Sequence, residues 1–118
     1  PGAATGRAAA RRKVSVRVRT APQARADLQS IGAYIADVES IETARRVVVR
    51  LREAIRGLST FPGRGRPGRA AGTRELVLSN LPYIVVYRLE ELPSGARQVE
   101  VLRVLHGHQQ WPPQPRQD

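Results

Sequence analysis

The sequence predicts an α+β domain in which a helical hairpin packs on one face of a mainly antiparallel four-stranded sheet, in the order β-α-α-β-β-β. Three observations support this prediction. An alternating segment lies near the N-terminus, two stretches with apolar residues three and four positions apart follow, and three strand-like runs joined by short loops come last. The 118 residues suffice for one such domain and are too few for two of ordinary size.

The first strand is predicted from an alternation of valines with polar residues. Val14, Val16 and Val18 fall on one side of an extended chain, as in a strand with one buried face. Residues 1–13 are rich in Ala, Gly and Arg and show no apolar periodicity. We therefore expect those residues to form a disordered basic arm that precedes the folded domain.

Two amphipathic helices are predicted next. Pro22 suits the first turn of a helix that ends near residues 37–39, and Ser40 suits the N-cap of a second helix that ends at Phe61 and Pro62. The apolar stripes are Ala24, Leu28, Ile31, Ile35 and Val38 in the first helix, and Ile41, Ala44, Val48, Leu51, Ile55 and Leu58 in the second. The arginines of the second helix are expected to face the solvent; they are Arg45, Arg46, Arg50, Arg52 and Arg56.

The C-terminal part of the chain predicts an antiparallel meander of three strands, over residues 73–78, 83–89 and 99–106. The middle run is apolar on both faces, as expected of a central strand. We expect Tyr34, Tyr83 and Tyr87 to be core aromatics. The domain is expected to span residues 14–111, with a frayed tail over residues 112–118.

A loop rich in Gly, Pro and Arg spans residues 62–72, between the helices and the meander. Gly63, Gly65 and Gly68 have the spacing of a dinucleotide-binding fingerprint. However, the motif follows a helix and leads into a strand, so no helix N-terminus is available for a pyrophosphate. We therefore expect a mobile basic loop and no nucleotide cofactor.

Composition excludes several classes of protein. The chain has no cysteine, which rules out a disulfide scaffold and a thiolate zinc site and suits a reducing cytoplasm. Its apolar runs are far shorter than the roughly 20 residues that cross a bilayer, so no membrane association is expected. His106 and His108 have no third ligand nearby in the sequence, so no metal is expected either.

Charge predicts a basic interaction surface. Twenty Lys and Arg stand against ten Asp and Glu, a formal net charge of +10, and the excess lies in residues 1–25 and 41–70. Such a surface favours an acidic partner or nucleic acid and raises the rate of association. A solvated surface without a specific partner is the alternative. For Arg74 and Arg88, ion pairs with a nearby glutamate (Glu75, Glu90 or Glu100) are the alternative to partner binding. The expected partner-binding residues are Arg50, Arg64, Arg66, Arg69, Arg74 and Arg88.

Three motifs follow one another in the predicted meander. They are Arg74-Glu75-Leu76, the run from Pro82-Tyr83 to Tyr87-Arg88, and the run from Leu102 to Gly107 with Trp111 behind it. In this order and spacing they resemble the RelE/ParE family of toxins from bacterial type II toxin–antitoxin systems. The resemblance covers residues 14–111 and implies the same β-α-α-β-β-β fold.

The resemblance implies one of two activities. RelE-like members are ribosome-dependent endonucleases that cut mRNA, and ParE-like members inhibit DNA gyrase by protein–protein binding. In both branches a cognate antitoxin binds and silences the toxin, and operator DNA is reached only through that antitoxin.

The ParE-like branch is favoured because the cations of a nuclease are missing. RNA cleavage by a 2′-hydroxyl needs a base, an acid and cations for the phosphorane. The segment before the first meander strand has no lysine, and that strand ends in Leu78-Ser79-Asn80, where the nuclease branch tends to carry an arginine. No catalytic residue is therefore expected. If the protein is a nuclease, the candidates are His106, Arg74 and Arg88. A nucleic-acid-binding module without toxicity is a third, less favoured, hypothesis.

Overall fold

A computed structural model of the chain describes residues 16–109 and 111–112. The predicted arm over residues 1–13, the start of the first strand at Val14 and the tail beyond Pro112 lie outside them. The elements in chain order are β1 (Arg17–Thr20), α1 (Pro22–Val38), α2 (Ile41–Gly57), β2 (Arg66–Pro67), β3 (Arg74–Val77), β4 (Tyr83–Glu91) and β5 (Arg97–His106).

The sheet has five strands in the order β1-β5-β4-β3-β2. Strands β3, β4 and β5 form the predicted antiparallel meander, and β1 pairs with β5 in parallel. The predicted number of four strands was wrong by one, because β2 lies inside the loop over residues 62–72. This strand of two residues contains Pro67 and carries no apolar alternation, so no periodic signal predicts it.

The two helices begin with different N-terminal signals. Pro22 is the first helical residue of α1, after an extended Ala21 whose side chain supplies no cap. Ser40 caps α2, because its hydroxyl accepts a hydrogen bond from the backbone N–H of Thr43 at 3.0 Å. Both predicted helix starts are confirmed. None of the described helices is long and apolar enough to span a membrane.

The helical hairpin packs on one face of the sheet and forms the main core. Alternate residues of the central strands, such as Val85, Tyr87 and Val101, contact the stripe of both helices. A second, smaller cluster forms on the other face, where Trp111 packs against Ile84, Val86 and Leu105. The members of the main core, all buried, are Ala24, Leu28, Ile35, Ala44, Leu51, Ile55, Leu58, Leu76, Tyr83, Val85, Tyr87, Val99, Val101 and Val104.

Three predicted core residues are exposed instead. The exposed fractions of Tyr34, Val38 and Ile41 are 65%, 54% and 63%. All three lie near the junction of α1 and α2, at the end of each predicted stripe. Helical periodicity extends a stripe to the end of a helix, but it does not tell whether another element covers that end.

Asp27 of α1 covers the part of β5 that β1 does not reach. Strand β1 pairs with β5 only as far as Val101. Beyond it, the carboxylate of Asp27 accepts the backbone N–H of Val104 at 2.8 Å and two hydrogen bonds from Arg103, at 2.8 and 3.0 Å. The same hydrogen bonds raise the pKa of Arg103, against the effect of burial. A free sheet edge is thereby closed by a side chain.

Candidate functional site

The loop over residues 62–72, called the basic loop below, is held against the sheet by the hydroxyl of Tyr87. This buried tyrosine of β4 accepts a hydrogen bond from the N–H of Gly65 at 2.8 Å and donates one to the carbonyl of Pro62 at 2.7 Å. A Cβ on Gly65 would lie 2.8 Å from the Tyr87 ring. Gly65 is therefore needed for close packing on an aromatic ring, a role unrelated to phosphate binding.

A buried carboxylate fixes the other end of the basic loop. Glu75 of β3 is 1% exposed and accepts hydrogen bonds from the Arg66 guanidinium at 3.2 Å and the Arg69 backbone N–H at 3.0 Å. The Nε of Arg69 lies 3.3 Å from the same carboxylate. Burial alone would raise the pKa of Glu75, but the Arg69 N–H and the two guanidinium groups outweigh it and lower the pKa. Arg66 and Arg69, expected to bind a partner, are thus held by an internal acid.

Two further predicted partner-binding arginines, Arg74 of β3 and Arg88 of β4, also have internal partners. Arg88 lies 2.7 Å from Glu100 and 3.7 Å from Glu90, so the predicted ion pairs with these two residues are confirmed. Arg74 donates to the carbonyl of Gly65 at 2.6 Å and to that of Gly63 at 3.3 Å. Its partners are therefore backbone groups of the basic loop.

The remaining two predicted partner-binding arginines border a depression of about 320 Å³ beside β3. Arg50 of α2 donates to the carbonyl of Ser79 at 2.9 Å, and the exposed Arg64 lies on the basic loop. Strand β2 pairs only with Arg74 and Glu75. The edge of β3 beyond Glu75 therefore has no neighbouring strand among the described residues, and Val77 there is 52% exposed.

A groove of about 620 Å³ lies at the start of β4, between the helical hairpin and the sheet. Its walls include Tyr34, Ile31, Tyr83 and His106. The rings of His106 and Tyr83 meet edge to face, with centroids 5.7 Å apart. Burial raises the pKa of Tyr83, and Tyr34 and Glu39 add to the effect. A phenolate is therefore unfavourable in this groove.

The ring of His106 is held on one side by its own strand end. Its Nδ1 accepts the backbone N–H of His108 at 3.2 Å, and the two imidazoles stack with centroids 5.1 Å apart. This contact leaves Nε2 as the nitrogen that can point towards a ligand. The described residues contain no group of three His, Asp or Glu side chains able to hold a metal ion.

The three candidate groups of the nuclease hypothesis do not meet. His106 lies opposite Tyr83 and Arg74 lies opposite Tyr87, four residues further along β4. At roughly 3.3 Å per residue this separates them by about 13 Å along the sheet. Arg88 follows Tyr87, so its side chain points to the other face. These three residues therefore share no reaction centre.

The contacts that organise these surfaces were mostly missed from the sequence. Asp27 with Arg103 and Glu75 with the basic loop join residues that no local pattern relates. The sequence pattern predicts Tyr34, Val38 and Ile41 in the core, but these apolar residues are exposed at the helical junction. The turn signal of Ser40 just after Val38 could have indicated that the stripe ends there.

Comparison with known proteins identifies relatives along nearly the whole described chain. The family described as "ParE toxin of type II toxin-antitoxin system, parDE" matches residues 18–111. A protein of Sinorhizobium fredii (strain NBRC 101917 / NGR234) named "Putative toxin Y4kP" is 46% identical over 96 residues, which are 81% of this chain and 93% of that protein.

Two solved structures share the fold. One is a chromosomal ParDE toxin–antitoxin system from P. aeruginosa, with a TM-score of 0.69 and 23% identity, covering 79% of this chain and 97% of the other. The second is the RelBE2 toxin–antitoxin complex from Mycobacterium tuberculosis, with a TM-score of 0.57 and 26% identity, covering 78% and 98%. The α+β fold predicted from the sequence is thereby confirmed. Because the family match spans both helices and the whole meander, the chain belongs to the ParE toxin family of type II toxin–antitoxin systems.

Proposed function

We propose that this toxin acts by binding DNA gyrase and that a cognate antitoxin neutralises it by covering part of its surface. The observation that supports this most is that two arginines of the meander are held by hydrogen bonds within the protein. Arg74 is bonded to loop carbonyls and Arg88 to Glu100, and both lie far from His106. Groups held in this way are poorly placed to stabilise a phosphorane, whereas they rigidify a surface that a protein can bind.

The groove beside the helical junction is the antitoxin site in this proposal. Tyr34, Val38 and Ile41 are large apolar side chains exposed close to one another in the chain, and Tyr34 forms a wall of the groove. An amphipathic helix that lays its apolar face in such a groove buries surface that otherwise contacts water. Both solved relatives belong to toxin–antitoxin systems, which supports a partner of this kind.

The depression beside β3 suits a second, extended part of the antitoxin. The unpaired edge of β3 offers backbone hydrogen-bonding groups to an added strand. Arg50 and Arg64 border this depression together with one acidic residue, Glu53, so its described lining carries a net positive charge. Acidic residues in the added segment would therefore gain favourable contacts. The proposal thus assigns an apolar helix to the groove and an acidic strand to the edge of β3.

The test is an assay of gyrase supercoiling and DNA cleavage with the purified chain, titrated against its antitoxin. We expect loss of supercoiling or accumulation of cleaved DNA, and recovery when the antitoxin is added. Full gyrase activity at micromolar toxin would contradict the proposal and favour the alternative, cleavage of mRNA on the ribosome.

His106→Ala separates the two activities. General acid–base catalysis contributes about 10²- to 10⁴-fold, so a nuclease that uses His106 should lose at least about a hundredfold in rate. A gyrase inhibitor should keep its potency within a few-fold. His108→Ala is the matched control, because it removes the neighbouring imidazole from the exposed turn. A loss confined to His106→Ala in an mRNA cleavage assay would establish the nuclease.

A further inference from the structure

Two further depressions lie side by side where β1 meets the start of α1 and the end of α2. They share no lining residue with the groove or with the depression beside β3. One, of about 370 Å³, is bordered by Arg25 of α1 and by Arg52 and Arg56 of α2. The other, of about 540 Å³, is bordered by Arg17, Arg19 and again Arg25. Because Arg25 and Thr20 border both, the two depressions form one continuous surface, which we call the arginine face.

The arginine face has a large uncompensated positive charge. Within the described residues, only Arg19 of the five arginines has an ion pair, to Glu100 at 2.9 Å. That glutamate is shared with Arg88. None of the described residues bordering the two depressions is acidic. In sequence, the segments outside the described residues supply one acid, Asp118, so they cannot neutralise the remaining four arginines.

Holding these like charges together is unfavourable without an anion. Arg52 and Arg56 are four residues apart on α2, where like charges repel and weaken a helix. Arg17 and Arg19 point to the same side of β1, about 6.6 Å apart at the usual rise of a strand. An extended anion with charges at a similar interval would relieve the repulsion in both pairs.

We propose that the arginine face binds the phosphodiester backbone of nucleic acid. The planar guanidinium group matches a phosphate with two parallel hydrogen bonds, which makes arginine well suited to this ligand. Neighbouring phosphates along a strand have a spacing comparable to that of Arg52 and Arg56 on their helix. Four more basic residues, at positions 7, 11, 12 and 13, precede β1 in the chain and add to its positive charge.

An acidic protein segment fits this surface less well. A stable protein interface has an apolar centre. Of the described apolar side chains bordering the face, Leu28 and Ile55 are 5% and 6% exposed, and Val18 is half-buried. The exposed large apolar residues of α2 are Ile41 and Val49, and neither borders the two depressions. The part of the face that the structure describes has no aromatic ring on which bases could stack, so binding should be independent of sequence.

The test measures binding of the full chain to a fluorescent duplex DNA of arbitrary sequence and to a single-stranded RNA of equal length, by anisotropy over a range of salt concentrations. The face variant is Arg52→Gln with Arg56→Gln. The control is Arg46→Gln with Arg97→Gln, two exposed arginines outside the face that give the same change in net charge. The N-terminal bases are present in both, so the difference between the variants reports the face alone.

We expect the chain to bind with steep salt dependence and the control to bind like the unmodified chain. The face variant should bind more weakly, and its slope of log K against log salt should fall by about 2, roughly one for each phosphate contact removed. Arg25→Gln, on the other helix, should lower the slope by about 1. Tighter binding of the DNA or of the RNA would identify which polymer the face prefers.

Three outcomes would overturn the proposal. The first is absence of binding to either polymer at low salt. The second is an equal loss of nucleic-acid affinity in the face and control variants. That result would mean that net charge alone is responsible for binding and that contact with operator DNA is made through the antitoxin. The third is a polyglutamate peptide that displaces the DNA and loses its own affinity in the face variant, which would assign the surface to an acidic protein. None of these outcomes depends on whether gyrase is the target.

Discussion

The hydroxyl of Tyr87 joins the basic loop to the sheet through two hydrogen bonds in a buried position. Tyr87→Phe keeps the ring and leaves the N–H of Gly65 and the carbonyl of Pro62 without this partner. Since a buried polar group that loses its partner costs about 1–3 kcal/mol, we expect that loss in the free energy of unfolding, measured with urea.

The control for Tyr87→Phe is Tyr34→Phe. The side chain of Tyr34 is 65% exposed, so water can replace whatever its hydroxyl contacts. Its free energy of unfolding should stay within about 0.5 kcal/mol of the unmodified chain. Equal stability of the two variants would show that the hydroxyl of Tyr87 does not anchor the loop.

The carboxylate of Glu75 makes the stability of the protein depend on pH. Its pKa is lowered in the folded state, below the ordinary value of 4.5, because the contacts from Arg69 and Arg66 outweigh burial. Such a group stabilises the fold fully above its unfolded pKa and loses this effect as the pH falls through the lower folded pKa. The contribution of Glu75 is therefore present at neutral pH and disappears in acid.

Glu75→Gln tests this pH dependence. We expect the variant to be less stable than the unmodified chain by about 1–3 kcal/mol near neutral pH, because charge-assisted hydrogen bonds are lost. The difference should shrink as the pH is lowered below about 4.5, measured by urea unfolding at each pH. Glu91→Gln, at an exposed position, should show no such convergence. A difference that stays constant with pH would contradict the role assigned to the carboxylate.

The sequence predicted the helices and strands whose apolar residues recur at regular spacing. The alternation at Val16 and Val18, the stripes of both helices and the three meander runs correspond to β1, α1, α2, β3, β4 and β5. Strand β2 escaped because two residues carry no period, and it forms only where Glu75 and Tyr87 hold the loop. Contacts such as Asp27 with Arg103 escaped for a similar reason, since 76 residues separate their partners.

The arginines show where sequence reasoning about the candidate sites reached its limit. Their charge and exposure were evident in the sequence, but their internal partners were not. Arg66 and Arg69 are held by Glu75, and Arg74 by carbonyls of the basic loop, while Arg25 and Arg52 have no ion pair within residues 16–109 and 111–112. Which cations remain available is decided by tertiary structure, so composition alone pointed to a basic surface without locating it.

The packing of the basic loop requires a glycine at position 65 but not at position 63. A Cβ on Gly65 would lie 2.8 Å from Tyr87 and 3.1 Å from the backbone of Glu75, whereas a Cβ on Gly63 would contact nothing within 4 Å. Gly65→Ala should therefore destabilise the protein by about 1–3 kcal/mol through steric displacement of the loop. Gly63→Ala should change the stability by less than about 0.5 kcal/mol. Thermal unfolding of both variants checks the difference, and equal effects would contradict the close packing.

The first strand of the chain, β1, pairs with the last strand, β5. Strand β1 lies at the edge of the sheet and pairs in parallel with β5, about eighty residues later in the chain. Its ends are held by hydrogen bonds from Val16 N–H to the carbonyl of Ser59, at 2.8 Å, and from Ala21 N–H to the carbonyl of Val101, at 2.9 Å. Loss of β1 would expose an edge of β5 next to buried Val99 and Val101, which favours aggregation.

Two truncations separate the contribution of β1 from that of the predicted arm. Removal of residues 1–13 leaves every described contact of β1 in place, so we expect an unchanged melting temperature and unchanged activity in the gyrase assay. Removal of residues 1–20 takes away the parallel pairing and the Arg19–Glu100 ion pair, so we expect insoluble protein or a melting temperature lower by at least about 10 °C. Loss of solubility on removal of residues 1–13 would show that the folded domain begins before residue 14, since the contacts of β1 alone would not then suffice to hold the edge of the sheet.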